Sequence, residues 1–301
     1  MCFTAIALLA GACTGTPDAD GDGPLIVVTT TIWGDVAAAV AGDEASVEVL
    51  MPIGANPHSY EISARQAARL RDADLIVANG LGLESGLLDA IAAAADDGVT
   101  VLYLAERLDP VPFTGQASDH EDDDDHDGLD PHVWMDPMRV AAAAGHVAAS
   151  LDSVAPGPWE ANADVYLASL TALDAEIREQ IASIPAADRK LITNHYAYGY
   201  YADRYGLDLI GTVIPAATTE AETSAAAFAA LVDLIVSEDV PAIFGSTSEP
   251  TSLAAAIAAE AGRDVQVIAL YTGSLGEPGS GAETYVTMMR TSTLRIVEAL
   301  G

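Results

Sequence analysis

The chain has 301 residues, with 45 Asp plus Glu against 12 Lys plus Arg, a formal charge of −33, and half of its residues apolar. That charge repels phosphate backbones and anionic membrane surfaces, which argues against nucleic acid as a partner and for a cation. The apolar half argues against a disordered chain, and the length predicts roughly two domains of about 150 residues each. Both cysteines, Cys2 and Cys13, lie within the first 13 positions. The remainder therefore has no disulfide, thiolate metal site or thiol nucleophile, and any metal there must be held by His, Asp or Glu.

Residues 3 to 12, FTAIALLAGA, form one apolar run. It is too short to span a bilayer, which takes about 20 residues, but suits a signal-peptide core. The run ends at Ala10-Gly11-Ala12-Cys13, which resembles a bacterial lipobox, where small residues precede a Cys that is lipidated and becomes the mature N-terminus. The missing basic n-region points to a true start upstream of Met1. Beyond Cys13, TGTPDADGDGP has nothing to bury and reads as a flexible tether. Residues 1–24 are thus expected to be a lipoprotein signal peptide and tether. They would leave an exported protein on the outer face of the cytoplasmic membrane, periplasmic or at the cell surface, held by a lipid on Cys13 alone.

From Leu25 onward, strand and helix patterns alternate. LIVV is a β-branched run, the small-residue pattern through WGDVAAAVAG a helix, and SVEVLMPIG a second strand. Next come an amphipathic helix in ISARQAARLRDAD, a strand in DLIVANG, a helix in GLLDAIAAAADD and a strand in VTVLYLA. From Pro110 to Pro131 the pattern stops. SDHEDDDDHDGLD places eight acidic residues and two histidines in thirteen positions, a solvated loop (117–130). Asp136-Pro137 opens a helix with Pro at a first-turn position, where its missing N–H costs nothing. Between Pro158 and Ile184, Tyr166, Leu170, Leu173, Ile177, Ile181 and Ile184 recur at three- and four-residue spacing, predicting one long helix that Pro185 stops. The second half repeats the alternation from KLITNH to the terminal helix TYVTMMRTSTLRIVEAL. The expected fold is α/β, with two lobes of mostly parallel sheet flanked by helices and joined by one long backbone helix. The boundaries read as 25–155 for the N-terminal lobe, 156–185 for the linking helix and 186–301 for the C-terminal lobe.

Three histidines sit at loop positions in separate α/β units: His58 in NPHSYE, His132 in DPHVWMDP and His195 after KLITN. Ligands of open α/β sheets bind beyond the carboxyl ends of the strands, and imidazole suits zinc and its neighbours. On the residues alone, a metal site and three separately satisfied structural histidines are both open. His146, inside a helix, reads as structural. The tyrosines at 196, 198, 200, 201 and 205 read as lobe packing, and Trp33 and Trp134 as a shield for the cleft or as core.

The strings NPHSYEIS, DPHVWMDP and NHYAYGYYADRYGL, in this order around a His/Asp-rich loop and a long helix, resemble the zinc- and manganese-binding lipoproteins of ABC transporters. The match runs from about Leu25 to the C-terminus. The resemblance implies a rigid two-lobed, monomeric binding protein that holds a metal between its lobes by one residue from each of four loops. Such a protein hands the ion to an ABC permease and its ATPase without catalysis. Carried over, His58, His132 and His195 are the first three ligands. Manganese-type members commonly have glutamate at the third position, so His195 favours Zn2+ over Mn2+, since hard manganese prefers oxygen. His120 and His126 lie in a loop resembling the His-rich loop of zinc-type members, where they would collect zinc weakly, although a solvated acidic segment explains the run equally well.

The family's fourth ligand is often an aspartate in a segment resembling YTGSLG, and here that position is Gly273. A water, or less favourably Glu61, would complete a tetrahedron. Three histidines and a water are also what a zinc hydrolase presents, but HExxH, a nucleophile elbow and paired carboxylates are missing beside these histidines. A surface adhesin would use the same anchor without needing the histidines. Because histidine ligands must be neutral to coordinate, metal affinity is expected to fall steeply below about pH 6.

Overall fold

The computed structural model describes residues 23–113 and 128–301. Cys13, His120 and His126 lie outside these.

The first lobe carries β1 (Leu25–Val28), α1 (Thr31–Ala41), β2 (Ser46–Val49), α2 (Ala64–Asp72), β3 (Leu75–Ala78), α3 (Leu88–Asp96) and β4 (Thr100–Tyr103). Its four strands pair in parallel in the order β2-β1-β3-β4. Two helices follow, α4 (Pro137–Val154) and α5 (Trp159–Ala182). The second lobe carries β5 (Lys190–Thr193), α6 (Gly199–Tyr205), β6 (Asp208–Thr212), α7 (Ala225–Ser237), β7 (Ala242–Ser246), α8 (Ser252–Glu260), β8 (Gln266–Leu270) and α9 (Tyr285–Leu300). Its sheet is again parallel, in the order β6-β5-β7-β8.

Local chemistry sets the element ends. α1 opens where the Thr30 hydroxyl accepts from Trp33 N, and closes at Gly42, whose φ of +57° suits a residue without Cβ. α2 opens on a Ser63–Gln66 capping box two residues after the apolar pattern begins at Ile62. α4 opens as the sequence predicts, with Asp136 accepting from Met138 N and Pro137 in the first turn. In α5 the buried face runs Trp159, Ala163, Tyr166, Leu170, Leu173, Ile177 and Ile181. Twenty-four residues at about 1.5 Å each give a rod of about 36 Å. It packs on α4, α1 and α9, and one continuous core runs from β1 of the first lobe to α9 of the second. Among the described residues no helix is long and apolar enough to cross a membrane.

In each sheet the strand order reverses beside a central pair, β1/β3 and β5/β7, which opens a crevice at the carboxyl ends of those strands. The first crevice is made rigid by buried Glu84, which accepts from the Thr29 hydroxyl after β1 and from Asn79 N and Gly80 N after β3. The two crevices face each other. Thr31 Oγ1 accepts from Leu275 N at 2.9 Å, Gly54 N donates to Ser274 Oγ at 2.8 Å, and Trp134 Nε1 donates to the Thr272 carbonyl at 2.8 Å. These bonds hold the lobes closed.

Candidate metal centre

Each histidine is delivered by a loop whose backbone is fixed. His58 lies in the loop after β2, with its N–H donating to Asn56 Oδ1 and its carbonyl accepting from Ser85 Oγ. His195 follows β5 by two residues, and its carbonyl accepts from Thr193 Oγ1 at 2.7 Å. His132 lies in the segment that leads into α4. That segment is anchored by Asn79 Nδ2 donating to the Pro131 carbonyl and by Tyr285 Oη donating to the Trp134 carbonyl.

The structure brings the three imidazoles together. His132 Nε2 lies 3.3 Å from His58 Nε2 and 3.2 Å from His195 Nε2. One ring nitrogen from each falls within 4.8 Å of the others, the one such group among the described residues. All three side chains are at most 4% exposed. They line a cavity of about 10 Å³ between the lobes, together with Asn56, Trp134, Glu249 and Gly273. That volume suits a single ion- or water-sized occupant.

Burial sets the protonation. It pushes the His58 imidazole down to about 3, with the neighbouring His132 adding to the effect. His195 is pushed well below the usual range, again first by burial and then by His132 and His58. His58 and His195 therefore offer neutral nitrogen lone pairs. Behind His132, Asp130 Oδ1 accepts from both its backbone N–H at 3.0 Å and its ring Nδ1–H at 2.8 Å. With Nδ1 holding the proton, Nε2 presents a bare lone pair to the cavity. Trp134 stacks edge-on at 5.2 Å from the His132 ring and Trp33 edge-on at 6.5 Å from Trp134, an apolar wall on that side.

Other candidates are placed elsewhere. Glu61 is exposed, outside the cavity lining, in the stretch before α2. His146 sits half-buried in α4, away from the cluster. Tyr198, Tyr200, Tyr201 and Tyr205 are buried in the lobe. Gly273 does line the cavity, but a Cβ there would fall 2.7 Å from Pro57 Cδ, so the neighbour of His58 fills the space a side chain at 273 would need. Sequence reasoning missed Asp130 and Glu249. For Asp130 a signal existed, since an acid two residues before a candidate ligand can reach back to it. Nothing local marks Glu249.

A family model described as zinc-uptake complex component A, periplasmic, matches residues 26–299. The chain is 33% identical to the manganese-binding lipoprotein MntA of Halalkalibacterium halodurans, over 100% of this chain and 98% of that protein. It is 31% identical to the zinc-binding protein TroA of Treponema pallidum, over 99% of this chain and 97% of that one. The solved structure of the periplasmic zinc-binding protein TroA superposes with a TM-score of 0.82 at 29% identity, covering 93% of this chain and 99% of the other.

Proposed function

Because the chain belongs to the periplasmic zinc-uptake component A family, we infer that it is the extracytoplasmic metal-capturing component of an ABC transporter, and that its cargo is zinc, held by His58, His132 and His195. The observation that carries the choice of cargo is the spacing of the imidazoles. Zinc–nitrogen bonds of about 2.0–2.1 Å subtend tetrahedral edges of about 3.3–3.4 Å, and His132 Nε2 lies 3.3 and 3.2 Å from its two neighbours. Three nitrogen donors and no glutamate at position 195 favour zinc over manganese. Relatives of both kinds match at similar identity, 33% for the manganese-binding and 31% for the zinc-binding one, so identity does not separate the metals.

The protein's own work is capture and release, with no bond made or broken in the cargo. The loops after β2 and β5 and the segment before α4 bring three ring nitrogens to one point, Asp130 fixes the tautomer of His132, and the tryptophans keep water from that side. Handing the ion to the permease and its ATPase requires the bonds between lobes to open. The working unit is a monomer with lobes 25–155 and 186–301 joined by the helix of 156–185, tethered by residues 1–24 through lipidated Cys13. His120 and His126 serve as a weak collecting loop, and deleting residues 118–128 lowers uptake at scarce zinc while leaving tight binding intact.

Zinc titration of wild type and His58→Ala tests the reading. Removing one of three ligands weakens zinc binding by at least about a hundredfold, beyond the range for an outer partner; equal affinity in the two proteins overturns the site.

A further inference from the structure

We propose that Glu249 supplies the fourth, anionic ligand to the captured zinc, reaching in from the loop after β7 in place of the side chain that Gly273 lacks. The inference rests on the three-histidine reading above. Among the residues that line the cavity, Glu249 is the one carboxylate. Its loop leaves β7 beside the loop of His195, which leaves β5, so both emerge at the reversal point of the second sheet, where ligands of such sheets bind.

Glu249 Oε1 is buried and has no hydrogen-bond partner. A buried carboxylate oxygen left unbonded is costly, and a cation is the partner that best repays it. Desolvation raises the carboxyl above its ordinary range, opposed by a hydrogen bond from Asn56. Asn56 belongs to the first lobe, two residues before His58, and also donates to Thr219 Oγ1 of the second lobe at 2.7 Å. Glu249 is thereby held at the seam where the lobes close.

The other side-chain candidates are spent. Position 273 has no side chain and Pro57 fills its place, Glu61 is exposed, and Asp130 is committed to His132. Three imidazoles leave the ion with its full double charge, and one carboxylate halves it, which matters in a pocket from which water is largely excluded. The Glu249 oxygens fall outside the group of ligand atoms within 4.8 Å of one another. Ligation therefore requires the carboxylate to swing inward about its own side-chain torsions when the ion arrives.

Two measurements on the full chain test this. Zinc affinity, by competition with a chromophoric chelator, is expected to fall by about tenfold or more in Glu249→Gln and to stay unchanged in Glu61→Gln. In a crystal structure of the zinc-loaded wild type, a Glu249 oxygen is expected at about 2.0–2.2 Å from the ion. An unchanged affinity in Glu249→Gln, or a zinc-loaded wild type with both Glu249 oxygens beyond about 3 Å, overturns the proposal. If His58→Ala loses zinc while Glu249→Gln keeps it, the fourth ligand alone falls and the three-histidine site stands. If His58→Ala keeps zinc, the site itself falls.

Discussion

Replacing Asp130 by Asn removes one charge directly behind His132. The Asp130 carboxylate is 1% exposed, and its Oδ1 accepts from both the backbone N–H and the ring Nδ1–H of His132. It thus fixes the loop and the tautomer with one atom. Loss of an outer partner of a ligating histidine typically costs about 10–100-fold in metal affinity, or about 1.4–2.7 kcal/mol. The double role of Oδ1 and its burial keep Asp130→Asn off the low end of that range, near its logarithmic middle at about thirtyfold. Mass action gives a second readout. With zinc at about 1,000 times the wild-type Kd, binding stabilises the fold by about 4.1 kcal/mol, and a thirtyfold weaker site leaves about 2.1 kcal/mol. Chelator competition gives the affinity, and thermal melts with and without zinc give the stabilisation. The metal-free melt separates lost packing from lost ligation. An affinity within twofold of wild type refutes the role assigned to Asp130.

Three further predictions follow from burial and from the closure of the lobes. The metal-free protein loses stability as pH falls from about 6.5 to about 3: the unfolded chain takes a proton on His58 near 6.5 and the folded chain only near 3, so unfolding binds protons and acid favours it. The slope is about 1.4 kcal/mol per pH unit from His58, with His195 adding in the same direction, and a metal-free melting temperature flat between pH 6.5 and 4.5 contradicts this. For zinc affinity the same burial moves the loss expected below about pH 6 to lower pH. Two ordinary imidazoles would cost about a hundredfold at pH 5.5, whereas His58 and His195 contribute almost nothing there while the lobes stay closed. Thr31→Val keeps the shape but strands Leu275 N, which donates to Thr31 Oγ1 across the lobes. At about 1–3 kcal/mol for a buried donor left unbonded, the closed form weakens and zinc leaves faster in a stopped-flow chelator chase; an unchanged release rate excludes this latch.

The fold was legible because the chain is locally consistent. LIVA and AIFGS are buried throughout as β3 and β7, as continuous apolar strands of a parallel sheet should be. Tyr166 to Ile181 all fall on the buried face of α5, and Ile184, buried just past its end, belongs to the same run. Ends were less legible because single hydrogen bonds set them. SVEVLMPIG reads as one strand to Gly54, but β2 ends at Val49, three residues before Pro52, which has no N–H to donate. The segment around Gly86 reads as helix, but Ser85–Leu87 forms a 3₁₀ turn, directly after Glu84 is taken by Asn79 and Gly80.

At the site, topology sent His58 and His195 to the crevice, and the DPHVWMDP string brought His132 to it. Asp130 lay inside that string without an assigned role, because no periodicity says that a loop folds an acid back onto the ring two residues later. Glu249 and the filling of position 273 by Pro57 depend on two lobes meeting, which no local pattern encodes. The net charge of −33 pointed toward a cation. We assign the selection instead to three buried imidazoles.

The central claim is that three buried histidines choose zinc. It is tested most directly by loading the full chain, produced without a His tag, with zinc and manganese in equal excess, then removing free metal and measuring what stays bound. The account predicts one zinc per chain, negligible manganese, and loss of that zinc in the His58→Ala, His132→Ala and His195→Ala variants. Retention of manganese in preference to zinc, or of zinc in all three variants, contradicts it.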